Sequence, residues 1–301
     1  MTGIILINKP KNMTSFGAVA RVRRITGEKK AGHTGTLDPM ATGVLPVVMG
    51  GATRFCELLP VHDKKYRARL KLGVTTDTLD VTGKVLSERE VNVTADEFVK
   101  IIHKYLGEIE QVPPMYSALS KDGVRLYELA RKGVEVEREK RRVVIHSIEL
   151  VQGDDLNHEY VIDVSCSAGT YIRTLADDIG RDLGCGGILA ELCRTAANGF
   201  ELSRCFSFEE LEVLSAEGRL SEAVIPVDKA LTYPKVKVTE AQAVRFSNGG
   251  ELMISRLKGS LAPGFYSVYS DAERFLGLGE VSENSDSLAV KRVFVDKNRQ
   301  A

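Results

Sequence analysis

No run in this 301-residue chain approaches the ~18 consecutive apolar residues that a membrane-spanning helix needs. Cysteine is scarce: there are five, an odd number, and no Cys-x-x-Cys pair. That excludes a disulfide framework or a zinc ribbon and predicts reduced thiols in a cytoplasm. The five histidines never fall at His-x-x-x-His spacing. A Walker A loop and a dinucleotide fingerprint are also lacking, so neither a metal nor a nucleotide cofactor is expected. The opening Met-Thr-Gly-Ile-Ile-Leu-Ile-Asn-Lys-Pro has no basic start and no small-residue cleavage site, so a secretory signal is not expected. Internal repeats and low-complexity tracts are absent.

Net charge is lacking too, with 41 basic against 41 acidic residues. Its distribution is uneven. Residues 1–70 carry 12 Lys and Arg against 4 Asp and Glu, whereas residues 71–232 carry 19 against 29. Such polarisation is expected where a polyanion docks, although solvated surface charge produces it as well.

What is present is a loop of unusual composition. Residues 31–43, Ala-Gly-His-Thr-Gly-Thr-Leu-Asp-Pro-Met-Ala-Thr-Gly, suit neither helix nor strand. Glycine permits close backbone approach, and Pro39 drives Asp38 out of the helical region. The expectation is a rigid loop with Asp38 at its tip. An ordinary turn whose Asp caps its own backbone has the same composition.

Around that loop the chain reads as alternating elements. Ile4–Ile7 is a buried strand. Thr14 and Ser15 offer an N-cap for a helix ended by Gly27, with Phe16, Val19, Ala20 and Ile25 as its apolar stripe and Arg21, Arg23 and Arg24 opposite. Residues 64–72 alternate strictly: Tyr66, Ala68, Leu70 and Leu72 face one way, and Lys65, Arg67, Arg69 and Lys71 the other. Thr94…Glu97 and Ser207…Glu210 are capping boxes. Residues 142–151 and 159–167 alternate as an antiparallel pair. Residues 166–175 run from strand through Gly169 into a helix that Thr170 can cap, placing Tyr171 and Arg173 in its first turn. Beyond about residue 232 short strands dominate, with one small helix before Gly249 and Gly250.

Several of these stretches carry a resemblance. Gly-His-Thr-Gly-Thr-Leu-Asp-Pro-Met-Ala-Thr-Gly-Val-Leu-Pro, residues 32–46, resembles the signature of the bacterial TruB family of tRNA pseudouridine synthases. The likeness extends to Asn8–Ser15, to Thr75–Asp80, to the Pro-rich connector Gln111–Leu119, and to Cys166–Leu175. It departs at Asn8, where the family more often has Asp, and at Cys193, where it usually has Arg. The segment after residue 232 resembles a PUA domain, a small RNA-binding module.

The resemblance implies an α+β fold. Residues 1–231 would form a catalytic domain with a mixed, mainly antiparallel sheet and flanking helices, and residues 232–301 a β-barrel-like PUA domain. It implies isomerisation of uridine-55 in the TΨC stem-loop of tRNA by a cytoplasmic, cofactor-free monomer that needs no protein partner. Asp38 would be the nucleophile, paired with Arg173, and Tyr171 would lie against the target nucleotide as proton-transfer group or water shield. Tyr66 would stack on the extruded base, with Leu192 as the opposite wall. His33 would contact the backbone or fill space as the base flips, or is simply a hydrogen-bonded loop histidine. Lys9, Lys64, Lys65, Arg67 and the helix arginines are candidate phosphate contacts. Burial would raise the Asp38 pKa and the guanidinium would lower it again. Whether Asp38 attacks C6, attacks C1′ or takes the C2′ proton stays open. The rivals are a non-catalytic RNA-binding or tRNA-folding protein, and a synthase guided by RNA and protein partners.

Overall fold

The computed structural model describes residues 1–295. Its centre is a nine-stranded mixed sheet. Along it run Gly3–Lys9, Thr42–Met49, Gly187–Ala197, Lys64–Leu72, Glu159–Cys166, Arg141–Asp154 and Gly107–Gln111. Two short strands, Ala31–His33 and Phe200–Glu201, pair at the side. Pairing is antiparallel except where Thr42 and Gly43 meet Cys193 and Arg194 in parallel register. The mixed, mainly antiparallel α+β expectation holds.

Burial explains the two strand textures. In Gly3–Lys9 alternate residues enter different clusters: Ile5 and Ile7 join the main core, while Ile4 and Leu6 face a second one. Both faces are covered, so the run reads as continuously apolar. In Lys64–Leu72 only one face is covered. Tyr66, Ala68, Leu70 and Leu72 are buried, and Lys65, Arg67 and Lys71 lie exposed.

The first helix, Ser15–Thr26, is capped by Thr14, whose hydroxyl accepts from Gly17 N–H, and ends on Gly27 at φ 68°. Its buried stripe differs from the expected one. Ser15, Ala18, Val19 and Val22 face the core, while Phe16 is 77% exposed and Ala20 is exposed. A small-residue stripe brings this helix close to the loop at Leu37. Arg21 also turns away from solvent duty: it bonds Glu209 and Glu212 and lies 4.5 Å over the Phe208 ring. Both capping boxes form, opening helices Ala95–Ile102 and Phe208–Ala216. Thr170 does not cap the helix Ile172–Asp182; its hydroxyl donates to the Ser167 carbonyl instead.

A five-stranded sheet follows, ordered Lys235–Val238, Gly264–Ser270, Phe275–Val281, Ser287–Val293, Leu252–Met253. It packs on helix Glu240–Ser247 through Val238, Ala243, Phe246, Val268 and Leu288. A separate cluster joins it to the larger sheet, where Phe55 meets Phe275 and Phe294 at ring distances of 6.1 and 6.0 Å.

Candidate active site

The Asp38 loop is held from four directions. Ser15 Oγ donates to the Leu37 carbonyl at 2.9 Å and accepts from Leu37 N–H at 2.8 Å. Arg194 donates to the carbonyls of Gly35, Thr36 and Val44 at 3.1, 3.3 and 2.8 Å. Lys9 Nζ donates to Pro10, Met13 and Pro39 carbonyls at 2.9, 2.7 and 3.4 Å. Thr34 Oγ1 donates to Asn198 Oδ1 at 2.6 Å. Gly43 allows the loop to leave tightly: it has φ 101°, and a Cβ there would lie 2.2 Å from the Arg194 carbonyl oxygen. Irregular backbone is thus satisfied by side chains where no ladder exists.

Asp38 meets Arg173 across 135 residues of sequence. Arg173 Nε lies 3.0 Å from Asp38 Oδ2, and Nη2 donates to Asp38 Oδ1 at 3.4 Å. The guanidinium is itself anchored. Nη1 donates to the Thr78 carbonyl at 3.2 Å and Nη2 to the Tyr116 carbonyl at 2.8 Å. Asp80 Oδ2 stands 3.6 Å from Nη1. Arg173 is therefore buried between two carboxylates, in the first turn of its helix. The Asp38 side chain keeps 34% of its surface exposed; Asp80 keeps 5%. One carboxylate faces outward, and the other serves the guanidinium from within.

Burial is the largest influence on Asp38 and pushes its carboxyl up from the ordinary value. Arg173 and Lys9 pull it down, and Asp80 pushes it up again. The balance is upward. Arg173, which also faces Asp80, lowers the Asp38 value as expected without fully offsetting burial.

The other predicted residues divide. Tyr66 is buried, stands opposite Arg194 across the strand pair, and has its phenol pushed up to about 12 by burial. Tyr171 is the N-cap residue of helix Ile172–Asp182. Leu192 is buried and lines a surface cleft with Met40, Thr42, Cys193 and Arg67. His33 ends its short strand beside the loop. Burial and Arg194 hold its imidazole below the ordinary value, and its Nδ1 is buried without a protein partner. Lys64 reaches the loop: its Nζ lies 3.7 Å from where a Gly35 Cβ would be.

Three candidate phosphate contacts are engaged within the chain, among them Arg21 with Glu209 and Glu212. Lys9 is fully buried with its ammonium spent on three carbonyls. Arg67 makes a two-bond fork to Asp163 at 2.8 and 2.7 Å. Lys65 stays exposed with no carboxylate partner among the described residues, as do Lys11, Arg23 and Arg24.

Lys9 gives a pH test. Burial pushes its ammonium down to about 8 from 10.5. Between those values the unfolded chain holds the proton and the folded chain does not, so this group's contribution to stability rises with pH. Below about 8 both states are protonated and the contribution is flat. The expected result is that the unfolding free energy of the parent minus that of Lys9→Met climbs from pH 8 to 10.5. Denaturant titrations across pH that give a constant difference would sink this assignment.

Three residues escaped the sequence reading: Asp80, Arg194 and Gln111. Asp80 lies in the family-like stretch Thr75–Asp80 with no pattern to set it apart, and Arg194 follows Cys193 in a strand. Gln111 was read only as the start of a connector. Polar burial is the shared feature, and no local pattern announces it.

Comparisons with known proteins place the chain in a family. Three family profiles match in succession: TruB family pseudouridylate synthase (N terminal domain) over residues 23–172, tRNA pseudouridylate synthase B C-terminal domain over 173–232, and Pseudouridine synthase II TruB, C-terminal over 234–294. The chain is 45% identical to tRNA pseudouridine synthase B of Azoarcus sp. (strain BH72), covering 99% of this chain and 96% of that protein. It is 45% identical to the protein of the same name from Clostridium kluyveri, covering 93% and 95%. Among solved structures, a chain of the Cbf5-Nop10-Gar1 complex superposes with TM-score 0.75 at 25% identity, over 99% of this chain and 86% of that one. Among the described residues no cluster of His, Cys, Asp and Glu could hold a metal ion, and no helix is long and apolar enough to cross a membrane. Matched by these profiles over residues 23–232 and 234–294, the chain belongs to the TruB family of pseudouridylate synthases.

Proposed function

We propose that this chain converts uridine-55 in the TΨC loop of tRNA to pseudouridine, with Asp38 as nucleophile. The observation that carries this reading is the Asp38–Arg173 pair at 3.0 Å, with the acid partly open and its partner buried. The reaction breaks the N1–C1′ bond, joins C1′ to C5, releases the C5 proton and protonates N1. Nothing is oxidised or reduced, so the chemistry demands no cofactor. It demands an acid held ionised beside an extruded base, a wall for that base to stack on, and a group to move one proton. Asp38, Tyr66 with Leu192, and Tyr171 are assigned those parts. Stacking on an aromatic ring contributes ~1–3 kcal/mol and tolerates any base.

Residues 1–231 are assigned to catalysis and 232–301 to a PUA-like RNA-binding domain. The chain acts as a monomer without a protein partner. Lys11, Arg23, Arg24 and Lys65 are exposed cations that support backbone contacts. Such contacts orient RNA without reading its sequence. The names of the Azoarcus and Clostridium relatives support tRNA as substrate.

The test is incubation of the purified chain with an unmodified tRNA transcript and no additive, followed by mapping of pseudouridine. A single pseudouridine at position 55 is expected. A transcript that binds tightly but stays unmodified would replace the enzyme with a non-catalytic tRNA-folding protein.

A further inference from the structure

Gln111 ends the strand Gly107–Gln111 and is 1% exposed. Its side chain spends both ends on one residue. Nε2 donates to the Tyr171 carbonyl at 3.3 Å, and Oε1 accepts from Tyr171 N–H at 3.0 Å. These are the two bonds a neighbouring strand would exchange with Tyr171. Tyr171 is the N-cap residue of helix Ile172–Asp182, and its own side chain does not cap that helix. Two residues further on, Arg173 Nη2 donates to the Tyr116 carbonyl at 2.8 Å. The segment from Gln111 to Tyr116 therefore grips the helix start on both sides: the peptides of Tyr171 before it and the guanidinium of Arg173 just inside it.

We propose that Gln111 is a positioning residue for the isomerisation. It fixes the backbone of Tyr171, and through the first turn of the helix it aims Arg173 at Asp38. The inference rests on the reading in which Asp38 and Arg173 work on a uridine. A helix start with no side-chain cap is free to shift by a fraction of an ångström. A misplacement of ~1 Å in a catalytic group costs on the order of 100-fold in rate. Gln111 touches no substrate in this scheme, so its loss falls on turnover and leaves RNA binding alone.

Gln111→Met keeps the volume and removes both bonds. Gln111→Glu separates positioning from simple packing. As a carboxylate it accepts from Tyr171 N–H but opposes the Tyr171 carbonyl. As a carboxylic acid it donates to that carbonyl and accepts from the N–H, restoring both bonds. Burial pushes the introduced acid up, while Arg141, paired across the strand from residue 111, and Arg173 oppose that rise. Single-turnover and steady-state rates on a tRNA transcript are measured from pH 8 to pH 5, each divided by the parent rate at the same pH. Thermal unfolding confirms that each variant is folded.

For Gln111→Met we expect kcat lower by about 10- to 100-fold at every pH, with KM and transcript Kd within about threefold. For Gln111→Glu we expect a similar deficit at pH 8 that shrinks towards parent turnover as the pH falls. Parent-like kcat in Gln111→Met, a loss confined to KM, or a Gln111→Glu deficit that does not change with pH would each overturn the proposal. If Gln111→Met does not fold, the pH response of Gln111→Glu decides. A parent chain that forms no pseudouridine removes the underlying reading instead, and is distinguished from failure here by that control alone.

Discussion

Asp38→Asn forms no pseudouridine, binds the tRNA transcript as tightly as the parent, and unfolds at the same or a higher temperature. The first part follows from the role of the acid. An amide of the same shape cannot act as nucleophile or base, and losses of ~10⁴-fold or more are the scale of removing such a group. Binding survives because phosphate contacts, not the carboxylate, hold the RNA. The stability effect follows from the upward shift of the Asp38 pKa. In the window between the ordinary carboxylate value and the raised folded value, the folded chain holds more protons than the unfolded one. Stability from this group is therefore present at acid pH and is lost as pH rises through the folded value. At neutral pH the ionised acid is a cost, and asparagine removes it. One third of the side chain is exposed, so solvent screens the effect and the gain is no more than a few degrees. Arg173 is not orphaned, because Asp80 and two carbonyls remain. Residual turnover in a mass-spectrometric assay, or a Tm several degrees lower at pH 7.5, would contradict this account.

Arg173→Met damages both stability and turnover. Removing one partner of a buried ion pair costs about 3–5 kcal/mol, because the remaining charge is left uncompensated. Here two acids are left, Asp38 and Asp80, the latter 3% exposed as a residue. The Thr78 and Tyr116 carbonyls also lose their donor. A fall in Tm of roughly 10 °C is expected for a domain of this size, with kcat reduced by ~10³-fold or more. Arg173→Lys retains charge but not the planar fork, and so recovers stability better than rate. Adding Asp80→Asn to Arg173→Met removes the second acid. It is expected to return part of the lost Tm and none of the lost activity. Calorimetry and turnover on these three variants check the scheme. A double variant no more stable than Arg173→Met would show that the two acids do not share the guanidinium.

The pairs that matter for these predictions differ in how visible they were. Thr14, Thr94 and Ser207 acted as caps because capping depends on neighbours one to three residues away. The alternating strand at Tyr66 formed because its pattern has the period of a sheet with one covered face. The first helix lies where its cap predicts, but of the expected stripe only Val19 is buried; Phe16 is 77% exposed and Ser15 faces Leu37. Hydrophobicity says which residues prefer burial, not which face a neighbour will take.

By itself the sequence determined that capped helices start after Thr14, Thr94 and Ser207, that the strand at Tyr66 has one covered face, and which family signature the Asp38 loop carries. All of these depend on residues close along the chain. Only the tertiary structure decided what each charge does. It buried Lys9 and Arg194 as holders of the loop, tied Arg67 to Asp163 across 96 residues, and left Lys65 exposed without a carboxylate partner. It also placed Asp80 behind Arg173 and Gln111 against Tyr171. A side chain's charge state and partner are set by the groups packed within a few ångströms of it, and those arrive from distant positions that no local pattern reveals.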